Sequence, residues 1–368
     1  MNIQTLKEGI QNISEPRRTS YGNIRHKLED IIIIGLCTVI CDGEDFNDME
    51  EFGREREQFL KDHLHLELPN GIPDADTFRR LFERLDPTEL SNVLVDRLRA
   101  ECGARYVLAV DGKTIRGSEN ECHRAYHVVS AFVAESQLTL GEITVEGKSN
   151  EITAVPELLD LLEFEGAIVT ADAMSCQKKI VQKINDGGAD YTIALKGNQS
   201  ELQTDTEEYF NSYADEALRL ETLEKGHGRA ERREYRLLTD ISWLEQRGEW
   251  AGLRGSGMVR QIVPKGDDTT EYTRYFITSL TDIKEFAYSV RKHWSIEDQL
   301  HWCLDVIFRE DAARAKKDNS PRNMNVLRKT ALSQLNRAKQ GRLSKKKMMF
   351  KAALNPNILL SILFTKDK

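Results

Sequence analysis

Two short apolar runs, each rich in β-branched residues and each running straight into an aspartate, constrain this chain most. Residues 107–113 read VLAVDGK and residues 167–173 read AIVTADA, so Asp111 and Asp172 stand where buried strands reach their C-terminal ends. A carboxylate delivered there lies at the rim of a sheet, where metals and substrates bind in α/β folds. A third acid, Glu297, lies in HWSIEDQLHW, which has a helical pattern. Two strand-end aspartates and a helix-borne glutamate make an all-oxygen site for a divalent metal, suited to phosphoryl transfer on nucleic acid. A single strand-end aspartate is more often a turn or cap residue, so the inference rests on the combination.

The elements around these acids have a definite order. Strands are predicted at 106–111, 126–133, 137–145, 167–172 and 191–196, with helices near 152–163 and 175–186. Three strands, then helix, strand, helix, strand, is an α/β order giving one mixed sheet covered by helices. It is the order of the ribonuclease H-like fold, in which the first and fourth strands are neighbours; Asp111 and Asp172 are then expected to meet at one sheet edge.

Five segments follow along the chain. Residues 1–100 read as an N-terminal helical, DNA-binding domain, with helices at 26–40, 47–63 and 77–85 and another opened by Asp86-Pro87-Thr88-Glu89. Phe78, Leu81, Phe82 and Leu85 form an apolar stripe, and Arg79, Arg80 and Arg84 lie on the side away from it, placed to read a DNA groove, a plain helical packing domain being equally compatible with the sequence. Residues 101–215 are the first part of the catalytic core. Residues 216–280, with alternating REYRLL, MVRQIV and TRYFITS, read as a β-rich insertion. The core's helical part, carrying Glu297, occupies 281–338, and 339–368 form a basic C-terminal tail whose ILLSILF end docks back on the body.

The net charge of -8 argues at first against a polyanion partner. Residues 291–368, however, hold 18 Lys/Arg against 7 Asp/Glu, which concentrates positive charge late in the chain. No basic-then-apolar leader is visible, and the longest apolar run, Ile31 to Cys41, is about half of the ~20 residues that span a bilayer. The six cysteines form no CxxC pair and read as reduced thiols of a cytoplasmic protein. Cys122 and His123 with His127 lack the two-plus-two spacing of a zinc site.

Around Glu297 a regular helix puts Ile296, Leu300, Cys303 and Ile307 on an inward face. Glu297, His301 and Asp305 recur at i, i+4 and i+8 on the adjacent face, so the glutamate is expected to point from the edge of the core toward the strand ends.

The segments AVDGKTIRGS, VTADAMSCQ, ALKGNQ, GHGRAERREY and HWSIEDQLHWCLDVIFRED resemble those of the DDE transposases of bacterial insertion sequences. The nearest branch is the insertion-sequence As1 type, which includes the H-repeat-associated proteins, and NGIPDADTFRRLFERLDP resembles that branch's helical associated domain. Five motifs in the right order span nearly the whole chain. The resemblance implies a ribonuclease H-like, retroviral-integrase-like core in which Asp111, Asp172 and Glu297 hold two Mg²⁺ or Mn²⁺ ions about 3.5–4 Å apart. Water then cuts DNA at the terminal inverted repeats, and the freed 3′-hydroxyl attacks target DNA. It also implies a bacterial cytoplasmic protein, on the nucleoid when bound to DNA, and a homodimer holding two DNA ends, with no membrane.

Further positions are candidate DNA contacts: Lys113 and Arg116 beyond the first aspartate; Lys196, Asn198 and Gln199 at a strand end; His227 and Arg229, flanking Gly228, in the insertion; and Arg291. Trp294 matches an aromatic that relatives stack on an extruded base, a buried core tryptophan being the alternative. Where many relatives carry tyrosine, arginine and lysine around the glutamate, this chain has Val290, His293 and Leu304, with Tyr288 and Arg291 out of register. The resemblance therefore carries the metal chemistry and not the hairpin route to excision. Two other readings fit the same residues: a transposase-derived DNA-binding protein without catalysis, and a ribonuclease H-like nuclease without strand transfer.

Overall fold

The computed structural model describes residues 3–18, 22, 24–95, 105–121, 123–145, 150–226, 229–265, 268–338 and 341–364. Five helices come first: α1 (Ile3–Ile10), α2 (Leu28–Ile40), α3 (Phe46–Leu64), α4 (Ala75–Arg84) and α5 (Pro87–Val95). The run of isoleucines makes α2 apolar on every side, and all its residues from Asp30 to Ile40 are buried, as expected of a helix at the centre of a bundle. Asp45 caps α3 with a reciprocal capping box, and Asp74 caps α4 by accepting from the Thr77 N–H.

The sheet begins with β1 (Val107–Thr114), β2 (His127–Val133) and β3 (Leu138–Val145). After α6 (Glu151–Asp160) come β4 (Ile168–Ala171), α7 (Lys178–Asp186), β5 (Asp190–Leu195) and α8 (Ser200–Ser212). The order β3-β2-β1-β4-β5, with β1 and β4 parallel, is the arrangement expected of the core. The β-rich segment supplies β6 (Leu218–Gly226), β7 (Arg229–Leu238), β8 (Gly255–Lys265) and β9 (Asp268–Thr278). These strands do not form a sheet of their own. β9 pairs antiparallel with β5, so among the described residues one sheet of nine strands runs in the order β3-β2-β1-β4-β5-β9-β8-β7-β6.

Strand periodicity decides which face each acid takes. Leu108 and Val110 pack with α6 and α7, whereas Val107 packs with α9 (Ile283–His293), and Ala109 with Ile296, Leu300 and Cys303. Asp111 falls on the second face. Asp172 follows the same alternation, because Val169 and Ala171 belong to the α6/α7 core and Ile168 to the α9 core.

The helical pattern after Ile283 is not one rod to Ala338. Beyond α9 the chain winds as a π-helix over Glu297–His301 and Cys303–Ile307, then breaks at Arg309, whose φ is 52°. It resumes as α10 (Ser320–Ala338), with Pro321 in its first turn, where a missing N–H costs nothing. Helices α11 (Lys345–Leu354) and α12 (Pro356–Leu363) complete the chain, and Leu359, Ile362 and Leu363 dock as their composition predicts. A single apolar cluster joins α1–α5, α10–α12 and the sheet residues Ala109 and Phe132. Buried α10 is its axis, and it is tied to its neighbours by polar side chains: Asn323 donates to the carbonyls of Phe82 and Leu85, and Lys329 to Ser130 and Glu142. Among the described residues no helix is long and apolar enough to cross a membrane, and Cys37, Cys41, Cys176 and Cys303 form no disulfide.

Candidate active site

Asp111 is not the last residue of its strand. The parallel ladder with β4 ends at Val110 and Ala171, but antiparallel pairing with β2 carries β1 on to Thr114. The two aspartates occupy the next rung past that ladder, where β1 and β4 part. Asp111 accepts from the Gly112 N–H at 2.9 Å, and Asp172 caps a short 3₁₀ turn by accepting from the Met174 N–H at 2.8 Å.

Glu297 reaches this rung through the π-helical stretch, in which the Trp302 N–H bonds the Glu297 carbonyl. Such wider turns are frequent at functional sites because they re-aim side chains. His301 Nδ1 lies 3.1 Å from a Glu297 oxygen and 3.7 Å from an Asp111 oxygen. Donor atoms of Asp111, Glu297 and His301 all lie within 4.8 Å of one another. Asp172 stands beside this group, near enough for its charge to act on Asp111. His301 is therefore a site member that the i, i+4 spacing indicated only as a neighbour. Asp305 turns away to meet Lys113 at 2.7 Å, and Leu304 joins the inward face, which Ile307 reaches only partly buried, because π winding shifts the register.

Burial pushes the Asp111 carboxyl up to about 6; the charges of Glu151 and Asp172 add to this, against His301 and the Gly112 N–H. For Glu297 the His301 hydrogen bond comes first and holds its carboxyl below the ordinary range, against partial burial. The sign follows directly. With a folded value near 6 and an ordinary one of 3.8, Asp111 favours the fold most below pH 3.8 and ceases to do so as pH rises through 6, a change of about 3 kcal/mol for this group. Metal-free Asp111→Asn should accordingly gain melting temperature over the wild type as pH rises from 4 to 7. A difference independent of pH in thermal melts contradicts this.

The other predicted contacts divide. Lys113 does not stand free for phosphate: it is nearly buried, 3.0 Å from Glu310 and 2.7 Å from Asp305, and so ties β1 to the helix of Glu297. Asn198 and Gln199 donate to the carbonyls of Ala173 and Cys176, bracing the turn that Asp172 caps. Arg116 and Lys196 are exposed. Arg291 is held by Glu224, which also pairs with Arg233. The buried-core alternative for Trp294 is excluded, since its ring is 41% exposed with the Arg274 guanidinium 4.6 Å from its centroid. It lines, with Arg233, Arg291 and Trp302, a cleft of about 870 Å³ between the insertion strands and α9. His227 and Gly228 lie outside the described residues; the Arg229 backbone pairs with Gly226 at the β6–β7 hairpin. The three substituted positions are inward: Val290 and Leu304 are buried, and burial pushes His293 down to about 4 while Nδ1 meets Thr170. The zinc alternative gains nothing: His127 is paired with buried Glu151 and with Thr114, and Cys122 is outside the described residues.

Known proteins resemble the chain along most of its length. Residues 103–333 match the family model "Transposase DDE domain", and residues 7–96 match "DDE_Tnp_1-associated". The chain is 37% identical to "Putative transposase YncI" of Escherichia coli O157:H7, over 96% of this chain and 93% of that one. It is 36% identical to "H repeat-associated putative transposase YhhI" of Escherichia coli K12, over 99% and 98%. A sheet that brings two aspartates to one rung, opposite a glutamate on a re-wound helix, within a match of this extent, places the chain in the DDE transposase family, with a ribonuclease H-like core.

Proposed function

We propose that the chain cuts DNA at the ends of its own element and joins the freed 3′-hydroxyl to target DNA, with Asp111, Asp172 and Glu297 holding two divalent cations. The observation that supports this most is the convergence of Asp111, Glu297 and His301 donor atoms within 4.8 Å of one another. The donor set is mainly carboxylate oxygen, which suits Mg²⁺ or Mn²⁺. When bound, two such ions supply a clamp on the attacking and leaving oxygens of an in-line displacement. The protein's part is positional. His301 steadies Glu297 against Asp111, the Gly112 N–H fixes one Asp111 oxygen, and the Asn198–Gln199 braces hold the Asp172 turn.

DNA is the family's substrate, and exposed Arg116 and Lys196 flank the acids where the strand would pass. Arg291 and Trp294 border the cleft beside them, where release of Arg291 from Glu224 frees a cation for phosphate. Residues 1–100 provide further DNA contacts, and two copies hold the two ends of the element.

The test uses purified protein, Mg²⁺ and duplexes bearing the element's terminal repeats, one uncut and one pre-cut to expose the 3′-hydroxyl. Cutting of the first and joining of the second to a target plasmid is the expected result. Cutting without joining makes the chain a nuclease, and binding with neither makes it a DNA-binding protein; either outcome overturns the proposal.

A further inference from the structure

The helical N-terminal region is acidic as a whole, with 11 Lys/Arg against 19 Asp/Glu in residues 1–95, yet five of its eight arginines gather at one place. A cleft of about 400 Å³ is lined by Arg17, Arg18 and Arg25 from the segment before α2 and by Arg80 and Arg84 from α4, with His26 among them. Chance scatter of solvated charges does not concentrate like this on an acidic body, and the like charges repel one another unless an anion is present.

The cations differ in how far they are engaged. Arg17 is paired with Glu15 and donates to the His26 carbonyl. Arg80 has a 3.6 Å contact with exposed Asp76, and its charge also acts on Asp74. The side chains of Arg18, Arg25 and Arg84 are exposed, with no hydrogen bond or ion pair among the described residues, while the Arg25 carbonyl accepts from Asn70. Arg79, which sequence placed with Arg80 and Arg84, turns instead toward Asp76 and Glu83. The one carboxylate of the cleft, Asp74, already accepts the Thr77 N–H as the cap of α4. Thr77, Arg80 and Arg84 recur at i, i+3 and i+7, so they share the outer face of α4, whose inner face is held by buried Phe78, Leu81 and Phe82. His26 Nδ1 is buried without a hydrogen-bond partner, leaving one polar ring atom of the cleft unused.

None of these residues belongs to the catalytic rung or to the cleft beside Trp294. We propose that the Arg17/Arg18/Arg25/Arg80/Arg84 cleft is a second DNA-contact site that grips the phosphate backbone of the duplex while the acids act on it elsewhere. It rests on the reading of the chain as a DNA-cutting enzyme and adds where its N-terminal helices hold the duplex. Arginine suits the task because its planar fork matches phosphate oxygens, and backbone contacts fix register without reading sequence.

Salt dependence of binding reads out phosphate contacts directly, because each neutralised phosphate adds about 0.9 to the slope of log affinity against log salt. The experiment measures binding of a 30-base-pair duplex by fluorescence anisotropy across salt concentrations. It compares full-length wild type, Arg80→Gln/Arg84→Gln, Arg80→Lys/Arg84→Lys, and Arg232→Gln/Arg260→Gln on the insertion as a control. The Gln pair should flatten the slope by about two and weaken binding roughly tenfold at moderate salt, with the Lys pair close to wild type. The Mn²⁺-induced rise in melting temperature serves as a folding control that does not depend on DNA. An unchanged slope in a folded Gln pair, or an equal loss in the control, overturns the proposal. So does a wild type stabilised by inorganic phosphate through these arginines while its duplex slope ignores them, which makes the cleft a free-anion site. Failure of wild type to bind any duplex removes the underlying reading, whereas normal wild-type binding with an unaffected Gln pair removes the cleft alone.

Discussion

Asp111→Asn should abolish DNA cutting and joining, lowering the rate by at least about a thousandfold, which corresponds to about 4 kcal/mol of lost transition-state stabilisation. The substitution keeps the side chain's size and its bond from the Gly112 N–H, so the rung stays intact. What it removes is the charge that a cation needs within the group, since donor atoms of Asp111 converge with those of His301 and Glu297 and the charge of Asp172 also acts on Asp111. Asp172→Asn and Glu297→Gln should fail in the same way, because neither lost charge is replaced by another carboxylate. His301→Ala should act more mildly, by about 10- to 100-fold, as a residue that orients the carboxylates. Duplex binding should survive in all four, because phosphate contacts supply most of it. Gel assays with Mg²⁺ at fixed DNA check this, and wild-type rates in any carboxylate variant reject that residue's assignment.

Glu310→Ala should destabilise the whole protein by about 3–5 kcal/mol. Glu310 is fully buried in the short turn after the π-helical stretch, 3.0 Å from Lys113, 2.7 Å from Asn325 and 3.5 Å from the Arg328 guanidinium. Burial opposes its charge, but the two cations outweigh burial and hold its carboxyl below the ordinary range. Truncation leaves Lys113 and buried Arg328 as cations with too little counter-charge, which is why breaking such a network costs more than its net worth. Glu310→Gln should lie between, keeping hydrogen-bonding atoms without charge. Because Lys113 sits two residues after Asp111 and also grips Asp305, loosening this network should weaken Mn²⁺ binding as well as folding. Denaturant melts give the stability change, and a loss under about 1 kcal/mol contradicts the account.

Much of this was legible in the sequence because period and punctuation are local. The β-branched runs marked β1 and β4, the spacing of Phe78, Leu81, Phe82 and Leu85 gave the buried side of α4, and the all-apolar α2 could only be buried. Pairing was not legible. Nothing local says that β9 closes on β5 and turns the insertion into an extension of the sheet. Nor does periodicity show that a helix is wound with wider turns: the i, i+4, i+8 row put both His301 and Asp305 beside Glu297, and only His301 meets it, while Asp305 goes to Lys113. Lys113 shows a further limit. Position beside an acid suggested a phosphate contact, but Glu310, nearly two hundred residues away in sequence, engages it instead.

The most direct test of the central claim is a crystal soaked in Mn²⁺ and measured for anomalous scattering. The account predicts Mn²⁺ bound by Asp111 together with Asp172 and with Glu297, and loss of the signal in Asp111→Asn. Manganese bound elsewhere, or a signal at the rung that persists without the Asp111 charge, contradicts it.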